Sequence, residues 1–249
     1  MKYLLYSLLL IIVILHSGCY KSNQPQGSAS LTVVNAVAGS PALVTNFNSN
    51  EAGKTTNTLQ YYKAAKRVSY GGSTETGSFI GPTTLSLATI TDTLENLWSG
   101  TLNLQTGMIY SFFLLGEDTA HIDTLFITDA PPYHSPSDSS IGIRFVNLTN
   151  GDPVSVDIQG QSNGSEVSSL SYKNITSFKS YPALASSKNY IFEFRDVTTG
   201  NVLGSLTLSG VSNGSGTNTA KNNYRYKNFT MALMGSTTFG QSVSLINNY

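Results

Sequence analysis

Two stretches of this chain repeat each other without a gap. Val34-Asn35-Ala36-Val37-Ala38-Gly39-Ser40-Pro41 aligns with Val146-Asn147-Leu148-Thr149-Asn150-Gly151-Asp152-Pro153. Each is a strand ending in Val-Asn, then Gly and Pro at the same offsets, then a new strand. The Asn side chain can close the turn, Gly permits positive φ, and Pro fixes the entry to the next strand. Further on, the run from Gly100 to Leu104 matches that from Gly204 to Leu208, and Tyr110 to Gly116 matches Phe229 to Gly235. The second copy carries an extra Gly/Ser/Asn-rich stretch from Ser209 to Asn223. Such a chain folds as two copies of one unit.

The unit itself reads as strands. Short apolar or alternating runs at 31–34, 42–44, 84–87, 101–104, 110–115 and 124–128 precede a second series at 141–146, 154–158, 190–194, 205–208, 229–234 and 243–246. Alternation marks strands with one buried and one wet face, and Gly, Asn, Asp and Pro punctuate the gaps. Only Leu59 to Arg67 and Ile90 to Trp98 are candidates for helical turns. Many short strands at this spacing predict an all-β chain of two tandem immunoglobulin-like β-sandwiches. Three prolines between Pro131 and Pro136 make residues 131–140 a semi-rigid linker. It separates a first sandwich over 30–130 from a second over 141–249, each expected to have its own core and to fold alone.

The N-terminus is laid out as a secretory signal, residues 1–18: Lys2, an apolar run through Leu15, then Ser17 and Gly18. Its apolar run is about a dozen residues, short of the roughly 20 that a spanning helix needs. Leu15-His16-Ser17-Gly18-Cys19 resembles a lipobox, with His16 where a Leu is usual. The resemblance implies cleavage before Cys19 and a diacylglycerol on its sulfur; a plain signal peptide ending in a chance cysteine is the alternative. Cys19 is the only cysteine, so no intramolecular disulfide can form, and lipidation accounts for an otherwise unpaired exported thiol. Each buried methylene contributes about 0.8 kcal/mol, so two or three acyl chains hold where one does not. Residues 19–29 are polar and turn-rich, a tether between lipid and fold. The implied location is the outer membrane, on either the periplasmic or the cell-surface face.

Charged residues make up only 11% of the chain and the formal net charge is zero. Loss of Lys2 leaves the mature part near −1. Nucleic-acid binding needs a basic footprint, and none exists. Abundant Ser, Thr, Asn and Gly beside 14 Tyr and 11 Phe fit a strand-rich exported protein.

The tandem halves resemble a known family. Each starts with a Val-Asn-turn-Gly-x-Pro segment and closes in an aromatic strand at Gly116 or Gly235. The junction Asp129-Ala130-Pro131-Pro132 before Arg144-Phe145-Val146-Asn147 is similar too. The family is the immunoglobulin-like repeat known as domain of unknown function 4397, common in lipoproteins of Bacteroidota. The resemblance implies fold and location, and it carries no catalytic residues.

Candidate chemistry is sparse. His121 and Asp123 share one side of a strand, but a metal site needs a third and fourth ligand that no His or Cys cluster supplies. His134 sits among prolines in the linker. The Gly-x-Ser-x-Gly pattern at 160–164 and at 210–214 is followed by no helical segment, so neither is a nucleophile elbow; no Walker loop or dinucleotide fingerprint appears, and no cofactor is implied. Asp92, Glu95, Glu117 and Asp118 are the carboxylates from which a glycosidase pair would be drawn. Among aromatics, Tyr61, Tyr62, Tyr70, Trp98, Tyr133, Tyr224 and Tyr226 either pack inside or form a stacking surface. Tyr224-Arg225-Tyr226, with Trp98, is the preferred ligand surface. Asp92-Thr93-Leu94, Asp118-Thr119-Ala120 and Asp123-Thr124-Leu125 resemble O-glycosylation acceptors, with Thr93 and Thr119 in expected loops and Thr124 at a strand start. The reading is a lipid-anchored envelope protein with a non-catalytic binding or structural role. Its partners are the membrane and envelope proteins or glycans. Rival readings are a carbohydrate-binding accessory protein of a glycan-uptake system and a hydrolase.

Overall fold

The computed structural model describes residues 27–49, 66–135, 137–214 and 220–248; the signal, Cys19, Tyr61 and Tyr62 lie outside them. Among the described residues, eight strands form the first repeat: β1 (Ser28–Val37), β2 (Leu43–Ser49), β3 (Lys66–Val68), β4 (Ser73–Phe79), β5 (Gly81–Thr89), β6 (Asp92–Leu104), β7 (Ile109–Gly116) and β8 (Ile122–Asp129). Eight form the second: β9 (Ser140–Asn147), β10 (Val154–Ile158), β11 (Val167–Leu170), β12 (Lys179–Pro182), β13 (Tyr190–Asp196), β14 (Val202–Leu208), β15 (Asn228–Ser236) and β16 (Gly240–Asn247). Their pairing is the same in both. The sheets are β4-β1-β7-β8 and β3-β2-β5-β6 in the first repeat, β12-β9-β15-β16 and β11-β10-β13-β14 in the second. The first strand of each repeat runs parallel to its seventh, Val34 beside Phe113 and Val146 beside Ala232.

The chain is all-β, two tandem sandwiches. Leu31, Val33, Leu85, Leu102, Phe112 and Leu114 fill the first core; Ile143, Phe145, Val156, Phe192, Phe194 and Met231 fill the second. The Val-Asn turn behaves as its residues dictate. Asn35 Oδ1 accepts from the Val37 amide at 3.2 Å and Nδ2 donates to the Val68 carbonyl at 3.3 Å. Asn147 accepts from the Thr149 amide at 3.0 Å and donates to the Leu170 carbonyl at 3.1 Å. Gly39 and Gly151 both take positive φ.

Each sandwich has its own core, and the two also share an apolar layer. A third apolar cluster joins Val34, Ala36, Phe113 and Leu115 of the first repeat to Val146, Leu148, Ala232, Met234 and Ile246 of the second. Successive residues of β1, β7, β9 and β15 alternate between a sandwich core and this shared layer, so these strands are buried on both faces. The molecule is therefore a stack of four sheets. A polar network lies within the shared layer. The Arg144 guanidinium stands 2.7 Å from the Asp129 carboxylate, as a close ion pair rather than an aligned hydrogen bond. Arg144 also donates to Thr230 Oγ1 at 2.7 Å and lies over the Phe178 ring. Burial pulls the guanidinium below its usual pKa, opposed by the Asp129 charge.

Two local expectations change. Ile90 to Trp98 is not helical: Ile90-Thr91 is a tight turn that returns the chain as β6, paired to β5 with Thr89 opposite Asp92. Register shifts around Leu87 to Thr89 absorb the broken alternation. Of Leu59 to Arg67, residues 59–65 lie outside the described residues, and Lys66 and Arg67 belong to β3. The linker is pinned rather than free. The His134 side chain is only 4% exposed, with Nε2 3.0 Å from Asn228 Oδ1 and Nδ1 3.1 Å from Asp138. Asn228 donates in turn to the Pro132 carbonyl at 2.9 Å. Gly142 makes this fit, since a Cβ there would stand 1.9 Å from Asn228 Oδ1.

Candidate functional site

A cleft of about 420 Å³ opens where the two repeats meet. The first repeat supplies Gly116 at the end of β7, the bend at Glu117 to His121, and the start of β8. The second supplies Leu148 and Asn150 after β9, Tyr172 after β11, and Gly235 in β15. Gly116 permits the bend to fold back, because a Cβ there would lie 2.3 Å from the His121 carbonyl oxygen.

The polar groups around the cleft are committed to neighbours. Glu117 accepts from Asn150 Nδ2 at 2.9 Å, across the repeats. Asp118 Oδ1 accepts the Ala120 and His121 amides, both at 2.8 Å, and stands 2.9 Å from His121 Nδ1. The Ala120 amide and then the His121 ring hold the Asp118 carboxyl below the usual carboxylate range. Asp123 accepts from Lys173 Nζ at 2.8 and 3.0 Å and from the Tyr172 hydroxyl at 3.1 Å. Partial burial of Asp123 works to raise its pKa, but the bonds from Lys173, the Thr124 amide and Tyr172 outweigh it and the net shift is downward. Burial, reinforced by the charge of Asp123, pushes the Tyr172 hydroxyl up to about 12.

Lys173 reaches Asp123 from a left-handed backbone, φ 62°. Gly71 fills the equivalent turn of the first repeat, at φ 72°. A non-glycine residue there costs of order 1 kcal/mol, and the ion pair across the repeats is the evident compensation. Tyr172, Lys173 and Asn150 were not readable as site residues, since nothing in their local sequence marks a cross-repeat contact. His121 and Asp123 do line the same cleft. Among the described residues, no three His, Cys, Asp or Glu side chains come together to hold a metal ion.

The expected aromatic surface does not assemble. Trp98 belongs to β6, with its ring 4.6 Å from Phe112 of the first core and its indole across Gly100. Tyr224 packs in the second sandwich, ring to ring with Phe229 at 5.8 Å. Arg225 donates to the Ala183 carbonyl at 3.0 and 2.7 Å and to the Asn213 carbonyl at 3.1 Å, tying the insertion to the sheet. Tyr226 is partly exposed, with φ 64°. Ring packing and backbone ties thus absorb Trp98, Tyr224 and Arg225. Glu117 and Asp118 follow β7, whereas Asp92 and Glu95 lie in β6 of the other sheet, and the latter two side chains lie outside the described ones. Of the threonines, Thr119 is exposed in the bend and Thr124 is half-buried in β8. Thr93, expected in a loop, lies in β6 because the Ile90-Thr91 turn is so short.

The fold defines a tandem β-sandwich protein with a cross-repeat cleft. No family model matches the chain, and no curated protein matches it. Solved structures similar to it include the crystal structure of a putative adhesin from Bacteroides ovatus. That likeness covers 92% of this chain and 97% of the other, at 9% identity and a TM-score of 0.23. It is too loose to transfer a residue, a ligand or a role.

Proposed function

We propose that this protein is a lipid-tethered envelope protein, anchored through Cys19 in the outer membrane, whose stacked repeats serve a non-catalytic binding or structural role. The lipobox-like segment and the resemblance to repeats of Bacteroidota lipoproteins support the tether. The observation that carries the non-catalytic reading is the commitment of the carboxylates in and beside the cleft, Asp123 within it and Asp118 in the adjoining bend. A general base must present a free lone pair and titrate near working pH. Asp118 and Asp123 are instead shifted downward and hydrogen-bonded to amides, Tyr172 and Lys173. Among the described residues no helix is long and apolar enough to cross a membrane. The test is Cys19→Ala: the parent partitions into detergent-extracted membranes and the variant does not. Equal retention of both overturns the tether.

A second reading is a carbohydrate-binding accessory protein, favoured by the Tyr172 ring at the wall of the cleft between the repeats. Glycan-array binding that Tyr172→Ala abolishes would support it over a purely structural role. Thr119, exposed beside the same cleft, is the proposed O-glycan acceptor. Intact mass of protein from the native host should show hexose-sized increments that Thr119→Ala removes; a mass equal to the lipidated chain alone rejects the idea.

A further inference from the structure

The shared layer is built from equivalent faces. Ser111 pairs in register with Thr32, and Thr230 with Arg144, so Thr32 and Arg144 occupy one position in the two repeats. Ser111 donates to Asp129 at 2.6 Å, and Thr230 donates to Asn248. Asp129 and Asn248 are thus equivalents too, and Asn248 Nδ2 reaches Ser111 at 3.4 Å to close the ring. Two repeats that meet by the same face could in principle pair like with like, as in a twofold dimer. The differences in charge between the two faces fall at two positions, Thr32/Arg144 and Asp129/Asn248.

We infer that Asp129 and Arg144 make this layer a mixed-pair interface, which accepts the opposite repeat and rejects a like one. A pair of first repeats would bury two Asp129 carboxylates facing Thr32 hydroxyls, with no cation. A pair of second repeats would bury two Arg144 guanidiniums facing Asn248 amides, with no anion. Asp129 and Arg144 are 6% and 4% exposed, and an uncompensated charge at such depth is strongly unfavourable. Only the mixed pair is neutral. Because each chain carries one repeat of each kind, the mixed pair is available within a single chain. The like-charge penalty supplies the rejection, as specificity against a competitor requires.

The test uses the folded full chain with a protease site inserted after Ser137, cut after folding. Isotope-labelled and unlabelled cut protein are mixed at the urea concentration where label exchange runs to completion, then returned to buffer for native mass spectrometry. The parent should show mixed pairs only. Asp129→Asn with Arg144→Thr removes both charges and should release like pairs toward the statistical mixture. Thr32→Arg with Asn248→Asp gives each face both charges and should do the same, which keeps the test decisive if one variant misfolds. Like pairs in the parent, or mixed pairs alone in a folded variant, would overturn the inference.

Discussion

Tyr70 and Tyr172 cross the interface in opposite directions. Tyr70, in the turn before β4, packs against the shared apolar layer with its hydroxyl near Ser242 on β16. Tyr172, in the turn after β11, bonds to Asp123 on β8. Ser242 and Asp123 hold the same ladder position, opposite Met234 and Leu115. The internal repeat is thus a repeat of contacts as well as of sequence, and the two halves hold each other reciprocally.

Removing the Tyr172 hydroxyl should loosen that hold. Tyr172→Phe loses a hydrogen bond to a half-exposed carboxylate, worth about 1 kcal/mol, whereas the Tyr70 hydroxyl has only the neutral Ser242 nearby and Tyr70→Phe should cost less. Urea unfolding midpoints rank the two; the reverse order would contradict the assignment.

The shared layer should couple unfolding of the two halves. Trp98, the only tryptophan, reports on the first repeat, and Met234 is buried in the second repeat's inner face. Met234→Ala should cost about 2–5 kcal/mol and shift the Trp98 fluorescence transition downward with it. An unmoved Trp98 midpoint means that the repeats unfold separately.

Stability should fall at both extremes of pH through one contact. The folded-state pKa of Asp123 lies below its unfolded value of about 3.9, so its contribution is present above that value and lost as pH falls through the depressed one. Tyr172 runs the other way. Raised to about 12, it contributes fully below its unfolded value of about 10 and loses that contribution as pH rises toward 12. Asp123→Asn should flatten the acid limb of the stability curve and Tyr172→Phe the alkaline limb. Unchanged limbs would show that other groups set them.

The linker should resist proteolysis while His134 is seated. His134→Ala frees Asn228 and the Pro132 carbonyl from one anchor, so cleavage between Pro132 and Ser139 should accelerate several-fold relative to the parent. Equal rates would mean that prolines alone protect it.

Much of the fold was legible because apolar runs and turn residues act locally. The Val-Asn-Gly-Pro turns and the central strands follow from the residues themselves. β3, β4, β11 and β12 were missed because edge strands such as Ser73–Phe79 carry little apolar signal. The shared layer had a signal that went unread: Phe112-Phe113-Leu114-Leu115 and Met231-Ala232-Leu233-Met234 do not alternate, and unbroken runs belong to strands buried on both faces. Arg144 within an apolar strand was a second sign, since a charge there needs a buried partner. The cleft was hidden for a different reason. Its residues come from turns far apart in sequence, and no local pattern encodes their meeting.

The position of β1 has a mechanical consequence. A pull through the N-terminal segment enters the fold at Ser28, on a strand laddered to β4 on one side and β7 on the other. The force runs along the strand, so those ladders are loaded in shear together instead of opening one bond at a time. Side chains on both faces of β1 are interlocked with neighbouring layers and must slide as well. Resistance to forced extension is a matter of unfolding rate rather than equilibrium stability, so a load applied at the end nearest Cys19 meets two ladders at once.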